Sequence, residues 1–96
     1  MATVNQQSGI CWVSGHARDR WRNRTHARLD DLKTAWYEAT PVEYPPAKGE
    51  TYARYHAPTD TVLLARNGEL VTVIELTDRP ADQQEFVRDQ AEAPNA

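Results

Sequence analysis

Asn67-Gly68 constrains this chain more than any other pair of residues, because it lies between two runs that read as strands, "TVLLAR" (61–66) and "ELVTVIEL" (69–76). A two-residue type I′ turn needs positive φ twice, and Asn-Gly adopts it with the least strain. The turn sets 66 opposite 69, and hence 65 opposite 70, 64 opposite 71, 63 opposite 72 and 62 opposite 73. Upstream, "ETYARYH" (50–56) reads as a further strand, joined through the four-residue turn "APTD" (57–60). That turn sets 56 opposite 61, 54 opposite 63 and 53 opposite 64.

Directly opposed residues share a face, and successive residues alternate. One face of this meander is therefore expected to carry Ala53, Tyr55, Val62, Leu64, Val71 and Val73, and to pack against helices. The other is expected to carry Tyr52, Arg54, His56, Thr61, Leu63, Thr72 and Ile74. Arg54, Leu63 and Thr72 would fall in one row, with His56 one step along, as a floor for a phosphate-containing ligand.

The N-terminal half supplies the helices. "ICWV" (10–13) reads as a short strand, and Ser14 as the N-cap of a helix over 16–24 with Ala17 and Trp21 on its apolar side. Leu29, Leu32, Ala35, Trp36 and Ala39 keep a 3.6-residue period through a second helix, 29–39, with Asp30 and Asp31 at its positive end. Pro41 ends it, and 41–50 is a proline-rich connector. Residues 1–9 are expected to be disordered. In the acidic tail, 77–96, residues 81–91 read either as a marginal helix held by Phe86 and Val87 or as a mobile segment. The tail is expected to stand outside the core, since those two residues offset little of an ordering cost of about 1–2 kcal/mol per residue. The expectation is one α+β domain over 10–76, in the order β-α-α-β-β-β, with two N-terminal helices on an antiparallel sheet.

Charge is distributed unevenly. The total is −3, yet "GHARDRWRNRTHAR" (15–28) carries five arginines and one aspartate, a net +4 with its histidines neutral. No charged side chain precedes it, so residues 29–96 carry −7. Such a cluster points to a polyanion. His16, Arg20 and Arg24 form one stripe of the first helix, and Arg18 and Arg22 a second, opposite Ala17 and Trp21. Cys11 is the only cysteine, which excludes an internal disulfide and a cysteine zinc cluster, and it reads as a small buried hydrophobe. The three histidines lack zinc-site spacing, and no cofactor is implied. Trp12, Trp21 and Trp36 read as core, and His26 as structural or merely exposed. No apolar run approaches the length of a membrane span, and the N-terminus lacks the basic and apolar blocks of a signal peptide, so a cytoplasmic location is expected.

The pattern S-x-H-x-x-x-R-x-x-x-R after a first strand, in "SGHARDRWRNR" (14–24), followed by "YARYH" (52–56) and "VLLARNGELVTVIEL" (62–76), resembles the RelE-like branch of the barnase–colicin–RelE (BECR) ribonuclease group. The resemblance implies a small metal-independent RNA endonuclease of the toxin–antitoxin kind, with RNA and an antitoxin protein as partners. It implies His16 and Arg20 from the helix, with Arg54 and Thr72 from the sheet, as catalytic residues. A 2′-hydroxyl would attack the phosphodiester with His16 as acid or base, while the arginines hold the phosphate. Arg18, Arg22, Arg24, His56 and Tyr52 would bind RNA. The negative net charge and acidic tail depart from the typical toxin. Two other classes fit the same residues: a non-catalytic nucleic-acid binder, and a protein-binding module whose basic helix meets an acidic partner.

Overall fold

The computed structural model describes residues 10–24, 32–47 and 51–92, the side chains of residues 23 and 24 apart. Its elements are β1 (Trp12–Val13), α1 (Gly15–Arg24), α2 (Leu32–Glu38), β2 (Thr40–Val42), β3 (Tyr52–His56), β4 (Thr61–Arg66), β5 (Glu69–Glu75), a 3₁₀ turn (Leu76–Asp78) and α3 (Ala81–Glu92). Asn67 and Gly68 have φ of 54° and 80°, the two positive values that the hairpin requires. The sheet runs β1-β5-β4-β3-β2. β1 is parallel to β5, and the other pairs are antiparallel. The α+β class stands, but the sheet is mixed, and the expected order lacked both β2 and α3. Residues 1–9, His26, and Leu29, Asp30 and Asp31 of the expected second helix lie outside the described residues. Pro41 sits in β2, opposite Arg54, at the sheet edge where a missing N–H is tolerated.

The four-residue turn places 56, 54 and 53 opposite 61, 63 and 64, as expected. The hairpin keeps 66 with 69 and 65 with 70, then slips by one residue between Leu64 and Ala65. Leu64 meets Thr72, Leu63 meets Val73 and Val62 meets Ile74, with Val71 as the extra residue of a bulge. Ser14 supports this irregularity. Its hydroxyl donates to the Val71 carbonyl at 3.1 Å and accepts from the Ala17 N–H at 3.0 Å, while its own N–H donates to the Leu70 carbonyl at 3.0 Å. One side chain thus caps α1, as expected, and satisfies the backbone of the bulge.

Both faces of the sheet are covered, which overturns the expected assignment of the core. α1 and α2 pack on the face of Leu63, Ala65, Leu70 and Val73, burying Ala17, Trp21, Leu32, Ala35 and Trp36. The face of Ala53, Tyr55, Val62 and Leu64, expected beneath those helices, is covered instead by Tyr44, Leu76 and Val87. Val87 is fully buried, so the C-terminal segment as far as α3 belongs to the core and does not stand outside it. Burying an aliphatic side chain contributes about 1.5–3 kcal/mol. Here α3 also hides sheet residues that would otherwise face water, a gain that counting the tail's own apolar residues omits.

Polar ties fasten α3. Arg88 meets the Asp60 carboxylate through Nε at 3.2 Å and through a terminal nitrogen at 2.5 Å, and the Tyr55 hydroxyl donates to the same carboxylate. Asp60 holds the turn after β3 with φ of 57°, and its carbonyl accepts from the Leu76 N–H at 3.1 Å. Gln90 brackets residue 43, accepting from the Glu43 N–H at 2.7 Å and donating to its carbonyl at 2.9 Å. The bond from Arg88 holds the Asp60 carboxyl below its ordinary pKa, against the opposing effect of burial. Burial, then the bond to Asp60, pushes the Tyr55 phenol up.

Two outcomes follow from these ties. Ser14→Ala should lower stability by about 1–2 kcal/mol in urea unfolding, since it removes a cap and leaves a bulge carbonyl without its donor. Arg88→Met should cost about 1 kcal/mol near neutral pH, the upper end for a part-exposed ion pair. A carboxyl with a depressed folded pKa stabilises above its unfolded pKa, and that contribution is lost as pH falls through the folded value. The two unfolding curves should therefore converge in acid; a gap that persists there would exclude the carboxylate as its source.

Candidate nucleic-acid interface

Ser14 closes the first turn of α1 directly after β1, so the basic helix starts beside the sheet edge. Arg18 and Arg22, four residues apart, fall on one stripe. With Lys33 of α2 they border a groove of about 430 Å³ whose apolar side is Trp12, Val13, Trp21 and Leu32. All three cations are exposed. Trp21 is buried, whereas Trp12 is 54% exposed, which corrects its reading as core. Cys11, read as buried, is also exposed. An indole face among cations has the parts that hold single-stranded nucleic acid, cations for phosphates and a ring for an unstacked base.

Arg20 points to a different place. It borders a second concavity, of about 310 Å³, with Thr72, Glu75, Asp78 and Arg79 along the stretch of β5 beyond β1. Its Nε is buried and has no hydrogen-bond partner among the described residues. Arg20 and Thr72 line this concavity from different layers, Arg20 from α1 and Thr72 from β5. His16 is exposed on the first turn of α1 and lines neither concavity. The side chain of Arg24 lies outside the described residues.

Arg54 and His56 do not join them. The bulge turns Thr72 to the face opposite Arg54, and Val73 takes its place in the row with Arg54 and Leu63. α2 lies over Arg54, whose guanidinium donates to the Trp36 carbonyl at 3.0 Å and sits 4.6 Å from the centre of the Trp36 ring. Burial lowers its pKa from the ordinary arginine value. His56 is 2% exposed. Its Nδ1 lies 2.8 Å from the Thr59 hydroxyl, its Nε2 lies 3.5 Å from Glu38, and Trp21 meets its ring edge-on at 5.7 Å. Tyr52 is half-buried against the same core. The expected floor of Tyr52, Arg54 and His56 is thus the underside of α1 and α2, and the convergence of His16, Arg20, Arg54 and Thr72 on one open site is not formed. Thr61, expected on that floor, is fully buried and bonded to Thr59 at 2.8 Å.

Sequence reasoning missed Trp12, Lys33 and Arg79. A register for the two-residue β1 was the signal needed for Trp12, and no turn fixes one. Among the described residues no group of three His, Cys, Asp or Glu side chains is placed to hold a metal ion, and no helix is long and apolar enough to cross a membrane.

The fold and the groove define a small α+β domain that presents a basic helix at one side of a mixed sheet. A family model described as "Putative RelE superfamily toxin domain" matches residues 13–77, from the end of β1 into the 3₁₀ turn, and the chain belongs to that family. No curated protein and no solved structure matches the chain.

The buried arginine yields a test separate from binding. Arg54→Ala should lower stability by about 2 kcal/mol, from the lost ring contact and a Trp36 carbonyl left without that donor, as read by thermal or urea unfolding. Arg18→Ala, at an exposed position, should change it by less than about 0.5 kcal/mol.

Proposed function

We propose that this protein is a toxin that acts on RNA, holding single-stranded RNA in the groove of Trp12, Arg18, Arg22 and Lys33. The observation that supports this most is the exposed Trp12 ring set among three exposed cations in a chain whose net charge is negative. Overall charge would repel RNA; a local cationic groove reverses that at one place. Membership in the toxin family supports the same reading.

In the finer form of this proposal the protein is an RNA endonuclease of the barnase–colicin–RelE kind. The 2′-oxygen attacks phosphorus as a base takes its proton, the bond to the 5′-oxygen breaks, and that oxygen is protonated as it leaves. The products are a 2′,3′-cyclic phosphate and a 5′-hydroxyl end. His16 is the candidate acid or base, and Arg20 with the Thr72 hydroxyl is the candidate pair for the phosphate. Arg54 and His56 have no part in it, since both are occupied inside the fold. An antitoxin protein is the proposed partner, and the cytoplasm the proposed site of action.

That His16 lines neither concavity favours a second reading, a toxin that binds RNA without cleaving it. The two divide cleanly. Under both, Trp12→Ala should weaken binding of a labelled single-stranded RNA about tenfold or more in fluorescence anisotropy. Arg18→Ala with Arg22→Ala should also flatten the dependence of log affinity on log salt by about 1.4, two phosphate contacts' worth. Unchanged affinity in both variants would remove the groove from the function. Under the endonuclease reading alone, His16→Ala should slow cleavage about a hundredfold or more while affinity holds.

A further inference from the structure

The opposite side of the molecule carries a second surface of reverse charge. α3 lies on the sheet face away from α1 and α2, and its only side chain buried outright is Val87. The residue before it, Phe86, is 45% exposed. It borders a groove of about 560 Å³ with Tyr44, Pro45 and Pro46, whose opposite wall is the segment after β2. This groove lies outside the cationic interface, and α3 lies C-terminal to the matched residues 13–77.

The exposed charges of α3 and of the facing segment are acidic. Asp82, Glu85, Asp89 and Glu92, all exposed, are the acidic residues of α3, and Glu43 is exposed on the facing segment. The only cation of α3, Arg88, is half-buried and held by Asp60. Arg79, at one end, donates to the Gln83 side chain at 3.3 Å. Asp82 and Asp89 lie four before and three after position 86 in the helix, spacings that place them beside the phenyl ring.

An apolar floor with aromatic and proline walls takes an inserted aliphatic or aromatic side chain, and a rim of exposed carboxylates selects cations around it. We propose that the groove between Tyr44–Pro46 and α3 is a docking site for a basic amphipathic helix of a partner protein, with one large apolar anchor against Phe86 and lysines or arginines facing Asp82, Glu85 and Asp89. RNA is repelled by this rim, so the two sides of the sheet discriminate between their partners by sign of charge. The chain's own basic segment is committed to the other side.

The probe is a synthetic amphipathic helical peptide of lysine and leucine, titrated into the full chain at low salt and followed by amide chemical shifts. Perturbations should centre on Tyr44, Gln83 and Phe86. Phe86→Ala, and separately Asp82→Lys with Asp89→Lys, should each weaken binding about tenfold or more, the scale of a central anchor or of a reversed rim. Both variants alter exposed side chains, and unchanged single-stranded RNA binding and unfolding midpoint serve as the check on folding. The same peptide with glutamate for lysine should not bind. The proposal is overturned if the basic peptide fails to bind, if the variants bind it unchanged, or if the glutamate peptide binds as well. It is equally overturned if the free chain self-associates through this face and Phe86→Ala abolishes that, which would assign the groove to a second copy.

Discussion

The bulge at Val71, held by the hydroxyl of Ser14, is the constraint on which the rest of the arrangement depends. Without the extra residue, Thr72 would share a face with Leu63 and Val73 would turn to the other side. With it, Leu70 and Val73 both face α1 and α2, as that core requires, although they are three positions apart, an odd spacing that an unbroken strand would put on opposite faces. The same hydroxyl starts α1, so the place where the sheet changes register is also where the basic helix is launched. A bulge needs its stranded carbonyl satisfied and a helix needs its first N–H groups satisfied. One serine side chain meets both demands, which couples the register of β5 to the position of α1.

Covering both faces leaves function to the perimeter. A sheet between two helical layers has no open floor, so residues such as Arg54 and His56 that would look chemical on a bare sheet become parts of the packing. Arg54 illustrates how this is tolerated: its guanidinium lies against the Trp36 ring and donates to a carbonyl of the same residue, which offsets part of the desolvation cost of a half-buried cation. His56 finds Thr59, Glu38 and the edge of Trp21. Arg18, Arg22 and Lys33 are exposed on α1 and α2, interspersed with the exposed acids Asp19 and Glu38, whereas the exposed charges of α3 are all carboxylates.

Much of this was legible in the sequence, and the limits have physical causes. Asn67-Gly68 and the four-residue turn fixed three strands because short loops leave little choice of register. Trp21, Trp36, Leu32 and Ala35 were readable as core from helical spacing alone. The bulge was not readable, since no glycine marks it and its support comes from a serine 57 residues away along the chain. The double burial left a signal that alternation logic overrode. "VLLA" in β4 is four successive apolar residues, and a strand with one wet face does not need them. Recognising that run would have called for a second covering layer, with α3 the remaining segment able to supply it.

The exposed tryptophan is where sequence logic and function part company most clearly. By composition alone a tryptophan belongs inside, and Trp21 and Trp36 are there. Trp12 is outside because β1 is only two residues long and joins the edge of the sheet in parallel beside Glu69 and Leu70, before α1 has begun to cover that edge. Leaving so large an apolar ring in water forgoes a substantial burial contribution. The chain places that ring beside Arg18, Arg22 and Lys33, where an unstacked base would bury it and the cations would meet the adjoining phosphates. A local departure from what stability favours, at a surface where cations gather against the sign of the whole molecule, is the strongest physical argument for placing the proposed RNA site on this side of the fold and not on the sheet floor.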